Sequence, residues 1–398
     1  MTRIKQALLH ARNNVEDATN LLTVDTTIID HAIKTQQETY YTEKLSRKAG
    51  SDPHQNVRDL MSQDEVVKLC DHMYEKVGES PSLLCTFHYG RNSGLRGASS
   101  RGLELCDLRT STGYGPERNG PNNRTLLIVL RKGPRNKERF TDNNCVGAQR
   151  HRDWRQCSIF ATALRVIQLL TETPDISFKK PHKNKDADWW GLPLIDFDTL
   201  SDQSNLMQDV YKKTGVESCK VTHHRTQCVQ FAGTEGLRPD QINTLTKHIL
   251  QKFFKAYQSQ CDKETLKVMS GFLKEQVRFI ARELLKLDVM YYVRLLLPRY
   301  DEWVRQSKSK GGDKSRCCKN FLHTTLPWLV EVLVVDGIYL IQKFPKYFMS
   351  KYLLVSDKCR IPFFCVPPSL VFSRLLGTVN LPFSSFNAGQ DSWLPTVG

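Results

Sequence analysis

No CxxC pair occurs in the 398-residue chain, which removes the commonest structural-zinc and thioredoxin-type patterns. The opening MTRIKQALLHARNN is polar and basic with no apolar h-region, so a secretory signal is not expected. Long apolar runs are missing as well. The most apolar stretch, residues 326–341, is interrupted by Glu331 and Asp336 and reads as too short to span a bilayer. No internal repeat is visible. Acidic residues are in deficit, 42 Asp+Glu against 57 Lys+Arg, for a formal charge of +15. That balance favours a polyanionic partner, nucleic acid or an anionic surface.

What is present suits a folded chain. With 40% hydrophobic and 25% charged residues, a sizeable core is expected and a largely disordered chain is excluded. The length allows two or three domains. Twelve cysteines are scattered singly, apart from the neighbours Cys317 and Cys318, and read as reduced thiols used as small core residues. Cys219, His223, His224 and Cys228 lie close together and carry atom types that zinc accepts, but their palindromic spacing is not a standard one. A zinc-stabilised binding protein is therefore kept only as an alternative, and no metal or cofactor is expected.

Along the chain, residues 1–58 read as a helical arm. Ser62-Gln63-Asp64-Glu65 is a capping box ahead of Val66, Val67, Cys70, Met73 and Tyr74 at helical intervals. Pro81 suits the first turn of the next helix. Residues 96–108 suggest a short helix running into a strand, and residues 125–130 are an apolar run of strand length. The latter enters a basic turn, residues 131–137, punctuated by Gly133 and Pro134. Helix is expected over 157–171 and again over 221–296, with a break at 236–239. Residues 172–190 read as a polar, basic connection, residues 306–315 as a linker, and residues 320–345 as a last apolar segment. The whole is expected to be mainly α with one small β-element.

Several stations carry chemistry. Arg96 stands at the head of a short helix, and the basic turn 131–137 follows. Then come His223, His224 and Arg225, His248 at 23 residues beyond Arg225, and Tyr257 at 9 beyond His248. Phosphodiester transfer to a tyrosine needs such a set. The phenol is unreactive near its ordinary pKa of about 10 and must be activated and held in line with phosphorus. Two arginines can clamp the non-bridging oxygens, a histidine can move a proton, and a lysine can protonate the leaving oxygen.

This ordered set resembles the tyrosine recombinase and integrase superfamily, and more closely the Crypton-type recombinases and the related centromere-DNA-binding domain of the fungal inner kinetochore. The matching stretches are LRGASSRGLELCDL (95–108), RHRDWRQC (150–157), KVTHHR (220–225), GLRPDQI (236–242) and KAYQSQCDKETLKVMSGF (255–272), with Leu326-Pro327-Trp328 as a later landmark. The resemblance implies a recombinase-like domain over 59–345, with a catalytic-type core at about 80–275, behind the N-terminal arm and before a tail, 346–398, of unassigned structure. In the catalytic reading, Tyr257 attacks a scissile phosphate to give a 3′-phosphotyrosine. Arg96 and Arg225 clamp, His248 assists, and His223 or His224 moves the proton.

Where the family turn reads Gly-Lys-Thr-Asn, this chain has Gly133-Pro134-Arg135-Asn136, so Lys132, Arg135 or Lys137 would replace the lysine. The superfamily has His-x-x-Arg, whereas His223 lies two residues before Arg225 and Thr222 three before. Implied DNA contacts are Arg131, Arg135, Lys137, Arg150, Arg152, Lys220 and His224. The implied partner is double-stranded DNA in the nucleus, bound by paired protomers, with no membrane and no small-molecule substrate. The alternative is a non-catalytic DNA-binding module of the centromere-binding type.

Overall fold

Local signals set the helix starts. Ser62 caps α1 (Gln63–Lys76): its hydroxyl accepts from the Glu65 amide at 3.2 Å, and the Glu65 carboxylate accepts from the Ser62 amide at 2.7 Å. α2 (Pro81–Ser93) begins on its proline, whose missing N–H costs nothing there. The structure is a computed structural model that describes residues 61–76, 81–111, 124–130, 145–180, 188–197, 199–216, 223–246, 262–273, 280 and 287–344; the expected arm and tail lie outside them.

α3 (Gly97–Arg101) leads through a 3-10 turn, Leu105–Asp107, into β1 (Leu108–Ser111). This is the helix running into a strand that the sequence suggests. β1, β2 (Thr125–Val129) and β3 (Cys145–Ala148) form one antiparallel sheet in that order, with Leu108 opposite Ile128 and Leu126 opposite Ala148. The helices α4 (Ser158–Glu172), α5 (Leu200–Thr214), α6 (His223–Thr234), α7 (Pro239–Thr246) and α8 (Lys263–Met269) follow. Gly236, at φ +76°, and Pro239 make the expected break between α6 and α7. α9 (Val289–Leu296), α10 (Tyr300–Lys308), α11 (Arg316–Asn320) and α12 (Leu326–Lys343) complete the described chain. The architecture is mainly helical with one small sheet, as expected.

The core is built around α4, which is buried from Ser158 to Leu170 even along its polar stripe of Ser158, Thr162, Arg165 and Gln168. It packs against α2 and α12. A fully buried residue such as Phe160 or Leu164 contributes roughly 1.5–3 kcal/mol through lost apolar exposure. A smaller apolar cluster, Cys228, Ala232, Leu237, Leu245, Val268 and Met269, ties α6, α7 and α8 together. The eight cysteines among the described residues are all buried free thiols, in line with their reading as core residues. Burial pushes the thiols of Cys228 and Cys318 up to about 12, so neither is a ready nucleophile.

Four features depart from the sequence reading. The last apolar segment starts earlier than expected: a π-turn at Phe321–Thr325 joins α11 to α12 as one continuous helical run from Arg316 to Lys343. By length and composition that run could cross a membrane, but 67% of its most apolar window is buried inside the protein, as in a core helix. Asp336, which interrupts the apolar pattern, pairs with Arg150 at 2.7 Å, and both side chains are almost wholly buried. The segment 172–190 is more than a surface connection, because Phe178 and Trp189 stack at 5.6 Å and pack on Phe321. The 306–315 segment is held as well: Asp313 accepts from the indoles of Trp189 at 3.1 Å and Trp190 at 2.6 Å.

Candidate nucleic-acid interface

α2 supplies the frame. All of its residues are buried, and its end turns at Gly94, whose φ of +61° suits glycine. The Leu95 amide donates to the Tyr89 carbonyl at 3.2 Å and closes that turn. Arg96 follows, exposed, as the residue that starts α3; its carbonyl accepts from the amides of Ser99 and Ser100 at 2.8 and 2.9 Å. The Arg96 side chain makes no ion pair among the described residues.

α6 approaches α2 at Gly90. A Cβ there would stand 1.8 Å from Cδ2 of His224, so only glycine admits the imidazole ring at this depth. The close approach brings the next residue, Arg225, to the Gly94 turn, where its Nε donates to the Gly94 carbonyl at 2.7 Å. Burial lowers the Arg225 pKa, and the positive charge of Arg96 lowers it further. The two arginines that the sequence reading assigned to a phosphate clamp therefore share one corner of the fold. Their forked N–H donors match a phosphate, and an anion between them would relieve their repulsion.

The other expected site residues fall into three groups. His224 is only 4% exposed and packs on Phe87 and Gly90, so its ring works as an inter-helix contact and not as a displayed one. Arg150, 1% exposed, is turned into the core against Asp336. Arg152 is exposed beside the end of α8, its amide donating to the Ser270 carbonyl at 2.9 Å. The backbone at Gly271, φ +85°, passes so close to the His151 ring that a Cβ would come within 2.7 Å of Nε2. Arg131, Lys132, Arg135, Lys137, Lys220, His248 and Tyr257 lie outside the described residues, as does the side chain of His223. The strands β2 and β3 that flank the basic turn are antiparallel neighbours, the pairing a hairpin requires.

Among the described residues, no three His, Cys, Asp or Glu side chains come together as a metal site. Of the four residues in the zinc alternative, Cys219 also lies outside the described residues, while His224 and Cys228 are packed in the α2–α6 contact and its neighbouring apolar cluster.

Sequence reasoning missed a second concentration of cations, Lys308, Lys314, Arg316 and Lys319, because the composition of 306–315 resembles a linker. The signal was the density of Lys and Arg across 308–319.

Comparison with family models matches residues 20–358 to the model described as the centromere DNA-binding protein complex CBF3 subunit, domain 2. A search among curated proteins finds no match to the chain.

Proposed function

The chain belongs to the family of the centromere DNA-binding protein complex CBF3 subunit, domain 2, and on that premise we propose that it is a duplex-DNA-binding module of the centromere type. The observation that carries the reading is the corner at Gly94, where Arg96 and Arg225 are held near one another. Each guanidinium reaches one phosphate of the backbone. The basic turn 131–137 and Arg152 add further phosphate contacts. Such contacts set affinity and register, while base contacts would set the sequence read. The family's description as a subunit supports work within a larger complex, and its centromere assignment supports a nuclear location.

A second reading is retained because the same two arginines would serve strand transfer. It holds that the body follows the tyrosine-recombinase plan of the Crypton-type enzymes, with Tyr257 as nucleophile, His248 assisting, His223 moving the proton, and Lys132, Arg135 or Lys137 in place of the turn lysine.

One experiment separates the two. Wild type and Tyr257→Phe are incubated with nicked duplexes, and both salt-sensitive retention and denaturation-resistant adducts are measured. A binding module retains DNA equally in both proteins and forms no adduct. An adduct lost in Tyr257→Phe would replace the first reading with the second. No retention at low salt would overturn both.

A further inference from the structure

A hollow of about 560 Å³ opens between the end of α10 and α11, away from the elements that carry Arg96 and Arg225. Lys308, Lys314, Arg316 and Lys319 line it, together with His323 and Asp313, and no aliphatic or phenyl side chain does. Small-molecule pockets are mainly apolar, so this one is poorly suited to such a ligand.

The local fold puts these charges outward. α11 is capped by the Ser315 hydroxyl, which accepts from the Cys318 amide at 3.1 Å, and it buries Cys317 and Cys318. Arg316 and Lys319, three residues apart, are left on one exposed face. The only carboxylate in the lining, Asp313, is turned inward onto the two indoles and accepts from the Ser315 amide at 2.9 Å. Lys308 and His323 both line the hollow, and burial, then the charge of Lys308, lowers the His323 pKa.

None of the four cations makes an ion pair among the described residues. Neighbouring surface charges do: Arg294 pairs with Asp301 at 2.9 Å, and Arg299 with Glu302 at 2.9 Å. The positive surface also extends beyond the hollow. The exposed Lys179-Lys180 segment is laced to the same loop, the Lys180 amide donating to the Gly311 carbonyl at 3.0 Å and Lys179 bridging to Gly312.

We infer that this hollow and the Lys179-Lys180 segment form a second binding surface for the phosphate backbone of nucleic acid, built on elements distinct from the Gly94 corner. The inference rests on the DNA-binding reading for its polymer and adds a separate contact region. An extended array of cations suits phosphates repeated along a backbone. An acidic peptide would also need a seat for a large apolar anchor, and no Leu, Ile, Val, Met, Phe, Tyr or Trp side chain lines the hollow.

The test uses the full chain carrying Lys308→Gln, Lys314→Gln, Arg316→Gln and Lys319→Gln together, with a random-sequence duplex and a poly-glutamate control. Each lost phosphate contact removes about 0.9 from the slope of log affinity against log salt, so the slope is expected to flatten by roughly 3 to 4. Arg96→Gln/Arg225→Gln flattens it independently, by about 2. If the fourfold variant melts abnormally, Lys314→Gln/Lys319→Gln alone carries the test, with an expected loss of about 2.

An unchanged slope in a normally melting variant, with wild type retaining DNA, overturns the second surface and leaves the first reading standing. An unchanged DNA slope with lost poly-glutamate binding assigns the hollow to an acidic protein and equally overturns the proposal. Wild type failing to bind DNA at all overturns both.

Discussion

Asp336→Ala is expected to be among the most damaging single changes in the described body. The Asp336 carboxylate lies in the middle of α12, and the Arg150 guanidinium reaches it from the end of β3 at 2.7 Å; their side chains are 0% and 2% exposed. Removing one partner of a buried pair typically costs about 3–5 kcal/mol, because the remaining charge stays in a medium that solvates it poorly. A domain near this size loses about 2–4 °C of Tm per kcal/mol, which puts the expected drop on the order of 10 °C. Salt should change the loss little, since a buried pair is weakly screened.

The companion variant is Arg150→Met/Asp336→Leu, which removes both charges and keeps the volume apolar. It is expected to unfold within about 1–2 kcal/mol of wild type, since such replacements are often neutral or stabilising. Its DNA retention should keep the wild-type salt slope, because Arg150 faces Asp336 and not solvent. Thermal and urea unfolding measure the first two claims, and salt-dependent retention measures the third. An unmoved Tm in Asp336→Ala would refute the energetic reasoning. A well-folded double variant with a flatter salt slope would return Arg150 to the DNA contacts that the resemblance implies.

Two further predictions rest on α2. Gly90→Ala drives a methyl group into the His224 ring and is expected to cost about 1–3 kcal/mol and to weaken DNA retention by shifting Arg225; Gly90→Ala/His224→Ala should recover part of the stability, and a double variant no better than the sum of the singles would refute the contact. His88 is fully buried, and its pKa is lowered to about 3 by burial first and then by the positive charges of Arg91 and His151, with Asp153 opposing. The unfolded chain takes up that proton near pH 6.5 and the folded one only near 3, so this contribution is intact above about 6.5 and declines as pH falls towards 3. The slope is up to about 1.4 kcal/mol per pH unit. Urea midpoints from pH 7 down to 5 should fall less steeply in His88→Leu than in wild type, and parallel curves would contradict the assignment.

Much of the local structure was legible because its signals are short-range. The Ser62-x-x-Glu65 box, Pro81, the apolar run at 125–130 and the break at 236–239 each act within a few residues, and each appears where expected. α5 was legible but unread: Thr199 and Asp202 form a capping box, Met207, Val210, Tyr211 and Thr214 recur on one buried face, and Gly215 ends the helix at φ +67°. What escaped were pairings across long separations. Asp336 reads as a flaw in an apolar run until Arg150 is beside it, and Asp313 reads as linker until two tryptophans donate to it.

The site divides in the same way. The ordered motif anticipated that Arg96 and Arg225 belong together, and the Gly94 turn brings them there. It did not distinguish His223 from His224. Only the fold shows that the His224 ring is taken up by packing against Gly90.

The most direct test of the DNA-binding account is the salt dependence of duplex affinity for wild type against Arg96→Gln/Arg225→Gln, both confirmed as folded by their melting. The account predicts steeply salt-dependent retention in wild type and, in the variant, weaker binding with a slope lower by about 2, one unit for each lost phosphate contact. Equal affinities and equal slopes would contradict it, because the Gly94 corner would then hold two arginines together for some purpose other than DNA.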